Sequence, residues 1–202
     1  MERVLEIRKL TGGRYLVCLD DGLQFPLYRK EITELDLCEG EYVSAETLSQ
    51  ILHELLPKRA RLRALHLLEK MDRTEYQLRE KLRLSAYPEE IIEDAVSYVK
   101  RCHYIDDLRY ARNYVESHIS EKSIRQLENE MYTKGIPREL ISQVLSESEL
   151  PDEEAQIRKL LAKKHYDPLC SDQKERQKIY AFLMRRGYNM SAIMHVLNCE
   201  EE

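Results

Sequence analysis

Apolar residues recur along this chain in two rhythms, and the change between them falls near Pro57. Before it, the runs Arg14-Tyr-Leu-Val-Cys-Leu19 and Leu23-Gln-Phe-Pro-Leu-Tyr28 flank Asp20-Asp21-Gly22. An Asp-Gly step between two such runs predicts a β-hairpin. Pro26 removes a ladder donor and so places the second run at a sheet edge. Val4 to Leu10 reads as a third strand, and Ser44 as the N-cap of a helix over about 45–55. Residues 1–56 are therefore expected to form a small β-rich appendage ending in a helix.

Beyond Pro57 the period lengthens to that of helices, and the segments repeat. Leu78-Arg-Glu-Lys-Leu-Arg-Leu-Ser-Ala-Tyr-Pro-Glu-Glu-Ile-Ile92, Leu127-Glu-Asn-Glu-Met-Tyr-Thr-Lys-Gly-Ile-Pro-Arg-Glu-Leu-Ile141 and Ile179-Tyr-Ala-Phe-Leu-Met-Arg-Arg-Gly-Tyr-Asn-Met-Ser-Ala-Ile193 align without gaps, spaced by 49 and then 52 residues. A period of that size marks stacked helical modules, each too small to bury its own face alone. The pairs Leu78/Leu82, Leu127/Met131 and Ile179/Leu183 are four residues apart, as the buried stripe of a helix requires. Gly135 and Gly187 follow as helix-ending residues that accept a left-handed backbone, where the first module has Ala86. Tyr87, Ile136 and Tyr188 are apolar anchors, and Pro88 and Pro137 sit where a new helix tolerates proline. The third helices bury Ile92 and Val96, Ile141 and Leu145, and Ile193 and Leu197. Thr74 with Gln77 and Ser123 with Gln126 have capping-box spacing. Leading helices show at Leu62, Leu65 and Leu68, at Leu108, Ala111 and Val115, and at Ile157, Leu160 and Leu161. The expected fold is mainly α: three tandem three-helix repeats (57–104, 105–150 and 151–202) preceded by the β-rich region, with no strand of appreciable length after it.

Composition narrows the class. A chain of 202 residues with 34% charged and 43% hydrophobic positions and no Trp suits a helix-rich protein with solvated outer faces. The opening residues mix charges with aliphatics, and no apolar run is long enough to span a bilayer, so a cytoplasmic protein is expected. Cys18, Cys38, Cys102, Cys170 and Cys199 are scattered and odd in number, which suits reduced thiols rather than disulfides or a zinc knuckle.

Charge is unevenly spread within a net of −5. The first 56 residues carry 11 acids against 6 bases, while residues 57–104 carry 11 bases against 8 acids. A protein that coats DNA without specificity is normally basic overall, unlike this one. The basic first module supplies candidate contacts: Lys58, Arg59, Arg61 and Arg63 at its first helix, and Arg73, Arg79, Lys81 and Arg83 on or near its second. Such a cluster suits phosphates or acidic side chains; the plainer alternative is a solvated helix face. Replacing Arg59, Arg61 and Arg63 with Glu is expected to leave folding nearly intact. Arg109 and Arg112, beside Tyr110 in a Tyr-rich stretch with Tyr98, Tyr104, Tyr114 and Tyr132, form a secondary contact candidate, although such tyrosines more often complete a core.

Catalytic chemistry finds little support. Asp106-Asp107 could be read as a carboxylate pair, but adjacent acids before a helix, echoed by Pro151-Asp152-Glu153-Glu154, are better explained as a cap and a first-turn charge. Cys102-His103 lacks a second ligand pair and reads as the end of a helix. No phosphate-binding glycine loop, metal constellation or activated nucleophile is present in the sequence, and neither an enzyme nor a cofactor is expected.

The ordered set Lys70-Met-Asp-Arg-Thr-Glu-Tyr-Gln-Leu-Arg-Glu-Lys-Leu82, then Tyr104-Ile-Asp-Asp-Leu-Arg-Tyr-Ala111, then Lys134-Gly-Ile136 resembles the RecX family over roughly residues 58 to 198. The resemblance implies three tandem three-helix modules. It also implies a regulator that binds the RecA recombinase filament and modulates, chiefly by inhibition, its ATPase, strand-exchange and co-protease activities in recombinational DNA repair and the SOS response. The alternative is a helical-repeat DNA-binding module that acts without a recombinase partner.

Overall fold

A computed structural model describes residues 1–166 and 172–198. They belong to two compact units, Met1–Asp106 and Asp107 onward. The first unit opens with an antiparallel sheet of order β3-β2-β1-β4, formed by β1 (Glu2–Lys9), β2 (Arg14–Leu19), β3 (Gln24–Tyr28) and β4 (Tyr42–Val43). The hairpin pairs Leu16 with Pro26 and Val17 with Phe25, so Pro26 does lie on an edge strand. The two-residue β4 and the single-turn helix α1 (Arg29–Glu34) are too short to show a period in the sequence.

Ser44 caps α2 (Ala45–Gln50) as expected, its hydroxyl accepting from Thr47 N at 3.0 Å. The helix does not stop at Leu55, however. It passes through a π-helical turn (Ile51–Leu55) into α3 (Leu56–Lys70), with Leu56 N–H reaching back five residues to the Ile51 carbonyl. Proline in a regular helix interior loses a donor and strikes the carbonyl four residues back. The wider turn accommodates Pro57 without ending the helix. Sheet and first module thereby share one core, in which Val17, Phe25 and Leu27 pack with Ile51, Leu56, Leu78 and Ile92.

Three triplets follow: α3, α4 (Glu75–Arg83) and α5 (Glu89–Arg101); α6 (Asp107–His118), α7 (Ile124–Thr133) and α8 (Arg138–Glu147); α9 (Glu153–Lys163), α10 (Gln173–Arg185) and α11 (Met190–Asn198). In each, the first and third helices pack most closely and the second closes the triangle. All six stripe residues of the second helices are buried, as are the paired residues of the third helices. One stripe is displaced: Leu62 is 60% exposed, because α3 turns Ala60, Ala64 and Leu67 inward. Among the described residues no strand occurs after Val43, and no helix is long and apolar enough to cross a membrane.

Helix ends follow local chemistry. Thr74 and Gln77 form the full capping box, whereas Ser123 accepts from Gln126 N and the Gln126 side chain turns away to Glu130. Asp152 caps α9; α6 starts at Asp107. Cys102 and His103 end α5, with His103 left-handed. Cys18 is a buried thiol, and Cys38 and Cys102 are exposed ones; Cys170 and Cys199 lie outside the described residues.

The second helices all end in the same turn. Tyr87 N, Ile136 N and Tyr188 N donate to the carbonyls of Leu82, Met131 and Leu183, five residues back. The residue before each is left-handed: Gly135 and Gly187 at φ 84°, and Ala86 at φ 64°. A left-handed L-residue costs roughly 1–2 kcal/mol, so Ala86→Gly should stabilise the protein by up to about 1 kcal/mol after glycine's extra chain entropy is deducted. A urea midpoint that rises in this variant checks the strain; one that falls denies it.

Candidate anion-binding interface

The candidate cations of the first module have dissimilar environments. Arg59 is mostly covered, ion-paired with Glu31, donating to the Pro26 carbonyl at 3.1 Å and lying over the Tyr28 ring. Burial lowers its pKa, and it joins helix to sheet. Arg61 holds Asp94 through two bonds of 2.7 Å. Arg79 is shared between Glu75 and Glu93, and Arg83 between Glu80 and Glu89. Arg73 donates to the Leu67 carbonyl near the end of α3. Lys58, Arg63 and Lys81 are exposed and make no polar contact among the described residues. Arg59 and Arg61 are thus not interchangeable surface charges. Replacing either with Glu would set two carboxylates face to face, contrary to the neutral folding effect expected from charge alone. In the second module, Arg112 pairs with Glu147 at 2.9 Å and Arg109 is exposed on α6, with a contact of its own.

A stronger concentration of positive charge lies elsewhere. A groove of about 780 Å³ between the second and third modules is lined by Lys122, Arg125, Lys134, Arg185 and Arg186, with Glu130 as its one carboxylate. The α7 start and the α10 end meet there. Ser123, the buried N-cap of α7, donates its hydroxyl to the Arg186 carbonyl at 2.5 Å. Gly187 completes the approach: a Cβ there would sit 3.0 Å from both Arg125 Cβ and Ser123 Oγ. Gln156 of α9 ties the same joint by donating to the Ile119 carbonyl at 2.6 Å. These contacts bring cations about 60 residues apart in the chain into one groove.

Glu130 is already occupied. Burial would raise its pKa, but Lys122 at 2.6 Å, the Tyr114 hydroxyl and Gln126 all donate to it and bring it down to about 2. Arg125 and Arg185 have no polar partner among the described residues. The groove therefore presents positive charge and bidentate donors suited to phosphate or carboxylate. Because the folded pKa of Glu130 is depressed, its stabilising contribution is complete above an ordinary 4.5 and is lost as pH falls toward about 2. Glu130→Gln should flatten the loss of stability across that window, as urea unfolding at stepped pH would read. An unchanged pH profile would mean the network contributes nothing.

Residues 60–98, 106–145 and 152–197 match, in chain order, the first, second and third three-helix domains of RecX. This chain belongs to the RecX family. A regulatory protein RecX from Vibrio parahaemolyticus is 35% identical over 144 residues, covering 69% of this chain and 90% of its own. One from Clostridioides difficile is 28% identical over 198 residues, covering 96% of this chain and 92% of its own. A crystal structure of regulatory protein RecX superposes with a TM-score of 0.60 at 23% identity over the full length of both chains, a likeness of fold. The RecX family is one of regulators.

The groove is not legible in the sequence because its cations come from two modules. The available signal was modest: Lys134 and the Arg185-Arg186 pair immediately precede the turn glycines, where cations ordinarily answer a helix dipole.

Proposed function

We propose that this chain binds the RecA recombinase filament and inhibits its ATP hydrolysis, strand exchange and co-protease activity. The observation that carries the proposal is three consecutive RecX modules with a cationic groove between the second and third. A filament of recombinase and DNA offers phosphates and acidic side chains, the ligands such a groove suits. Arg125 and Arg185 are the primary contacts in this reading, and Lys58, Arg63 and Lys81 a second set. The working parts are residues 1–56 and the modules 57–104, 105–150 and 151–202, acting in the cytoplasm without a cofactor.

The same groove favours a second reading, direct binding to DNA with no recombinase present. Titration against bare single-stranded DNA and against preformed RecA filaments separates the two. The regulator should bind the filament much the more tightly. Equal affinity, with a steep salt dependence in both cases, would favour the DNA-binding reading.

A further inference from the structure

The first unit contains a second cavity, of opposite charge, where the sheet docks on the first module. It is an open cleft of about 640 Å³, within the range of specific binding clefts. Leu23 of the β2–β3 turn, Leu52, Pro57, Pro88 and Ile91 supply its apolar surface. Leu52 and His53 reach it from the π-helical turn, a feature often found at functional sites.

The charge around this surface is acidic. Asp21, Glu89, Glu90 and Asp94 line the cavity, against the single arginine Arg61. Arg61 is spent on Asp94 through both of its 2.7 Å bonds, and Glu89 on Arg83. Asp21 accepts only the Leu23 backbone N–H, and Glu90 has no cation partner among the described residues. These two uncompensated carboxylates come from different elements, the sheet and α5, around one apolar floor. A phosphate backbone would be repelled here.

We propose that this cavity is a docking site for a protein segment that alternates aliphatic and basic side chains, with aliphatics on Leu23, Leu52 and Ile91 and a lysine or arginine between Asp21 and Glu90. Charge complementarity and the mixed lining select that occupant over nucleic acid. The cavity needs residues 1–56, which precede the three matched family domains. It is a second binding face, independent of the cationic groove and of whether the filament proposal holds.

Isotope-labelled full-length protein, titrated with a short peptide of alternating leucine and lysine, tests the site, with the leucine–glutamate counterpart as control. Saturable amide shifts should centre on Asp21, Leu23, Leu52, His53 and Glu90. The double variant Asp21→Asn, Glu90→Gln keeps side-chain shape and should weaken the basic peptide by up to about tenfold, the scale of two solvent-exposed ion pairs. The acidic peptide should not bind. Absence of saturable shifts, equal binding by the variant, or equal binding of both peptides would overturn the proposal, as would a DNA oligonucleotide shifting the same residues.

Discussion

Replacing Arg125 and Arg185 with Glu should reduce affinity for RecA filaments by about a hundredfold or more, with folding largely preserved. Both side chains line the groove without polar partners among the described residues. Hydrogen bonds to charged groups contribute about 1.5–3 kcal/mol each when made, and 1.4 kcal/mol is roughly tenfold in affinity. The stability change should be small, since surface charge substitutions usually stay within about 0.5 kcal/mol. Arg185 adds a loss of up to about 1 kcal/mol because it faces the negative end of α10. If the ligands are phosphates, the dependence of binding on salt should also flatten by about 0.9 per contact removed. Arg61→Glu is no substitute for this experiment, because it would break the bidentate contact with Asp94. Undiminished filament binding by the folded double variant would move recognition away from the groove.

The second large effect is on stability. Leu82, Met131 and Leu183 hold the same place in three modules, and each is fully buried. Truncating any of them to Ala should cost roughly 2 to 5 kcal/mol through lost transfer energy and the cavity left behind. Met131→Ala and Leu183→Ala act on separate core clusters, so both should destabilise the second unit but through different modules. Hydrogen exchange resolved by residue would show protection lost first around the substituted module. A variant as stable as the parent would contradict the shared register.

Particular residues show why some features were legible in the sequence and others were not. Stripe and turn residues such as Met131 and Gly135 obey rules that act within a few positions, so three aligned copies reveal them. The shared turn even extends to Ala86, where a strained residue replaces glycine without changing the conformation. Leu62 misled because leucines at helical spacing mark a face, whereas small Ala60 and Ala64 let α3 approach its neighbours closely. The role of Arg59 depends on Glu31 and Pro26, around thirty residues away and in another element. The groove depends in the same way on Ser123 meeting Arg186 and on the space that Gly187 leaves for Arg125. Local pattern specifies modules; joints between modules, and the charge they assemble, arise only in three dimensions.

Regulation of the recombinase is read directly in DNA-dependent ATP hydrolysis by RecA. Rates should be followed on single-stranded DNA while this protein is titrated in, at fixed recombinase and moderate salt. A saturable fall in rate is expected, which the Arg125→Glu, Arg185→Glu variant fails to produce at the same concentrations. A rate left unchanged or raised by the parent protein at saturation would contradict it.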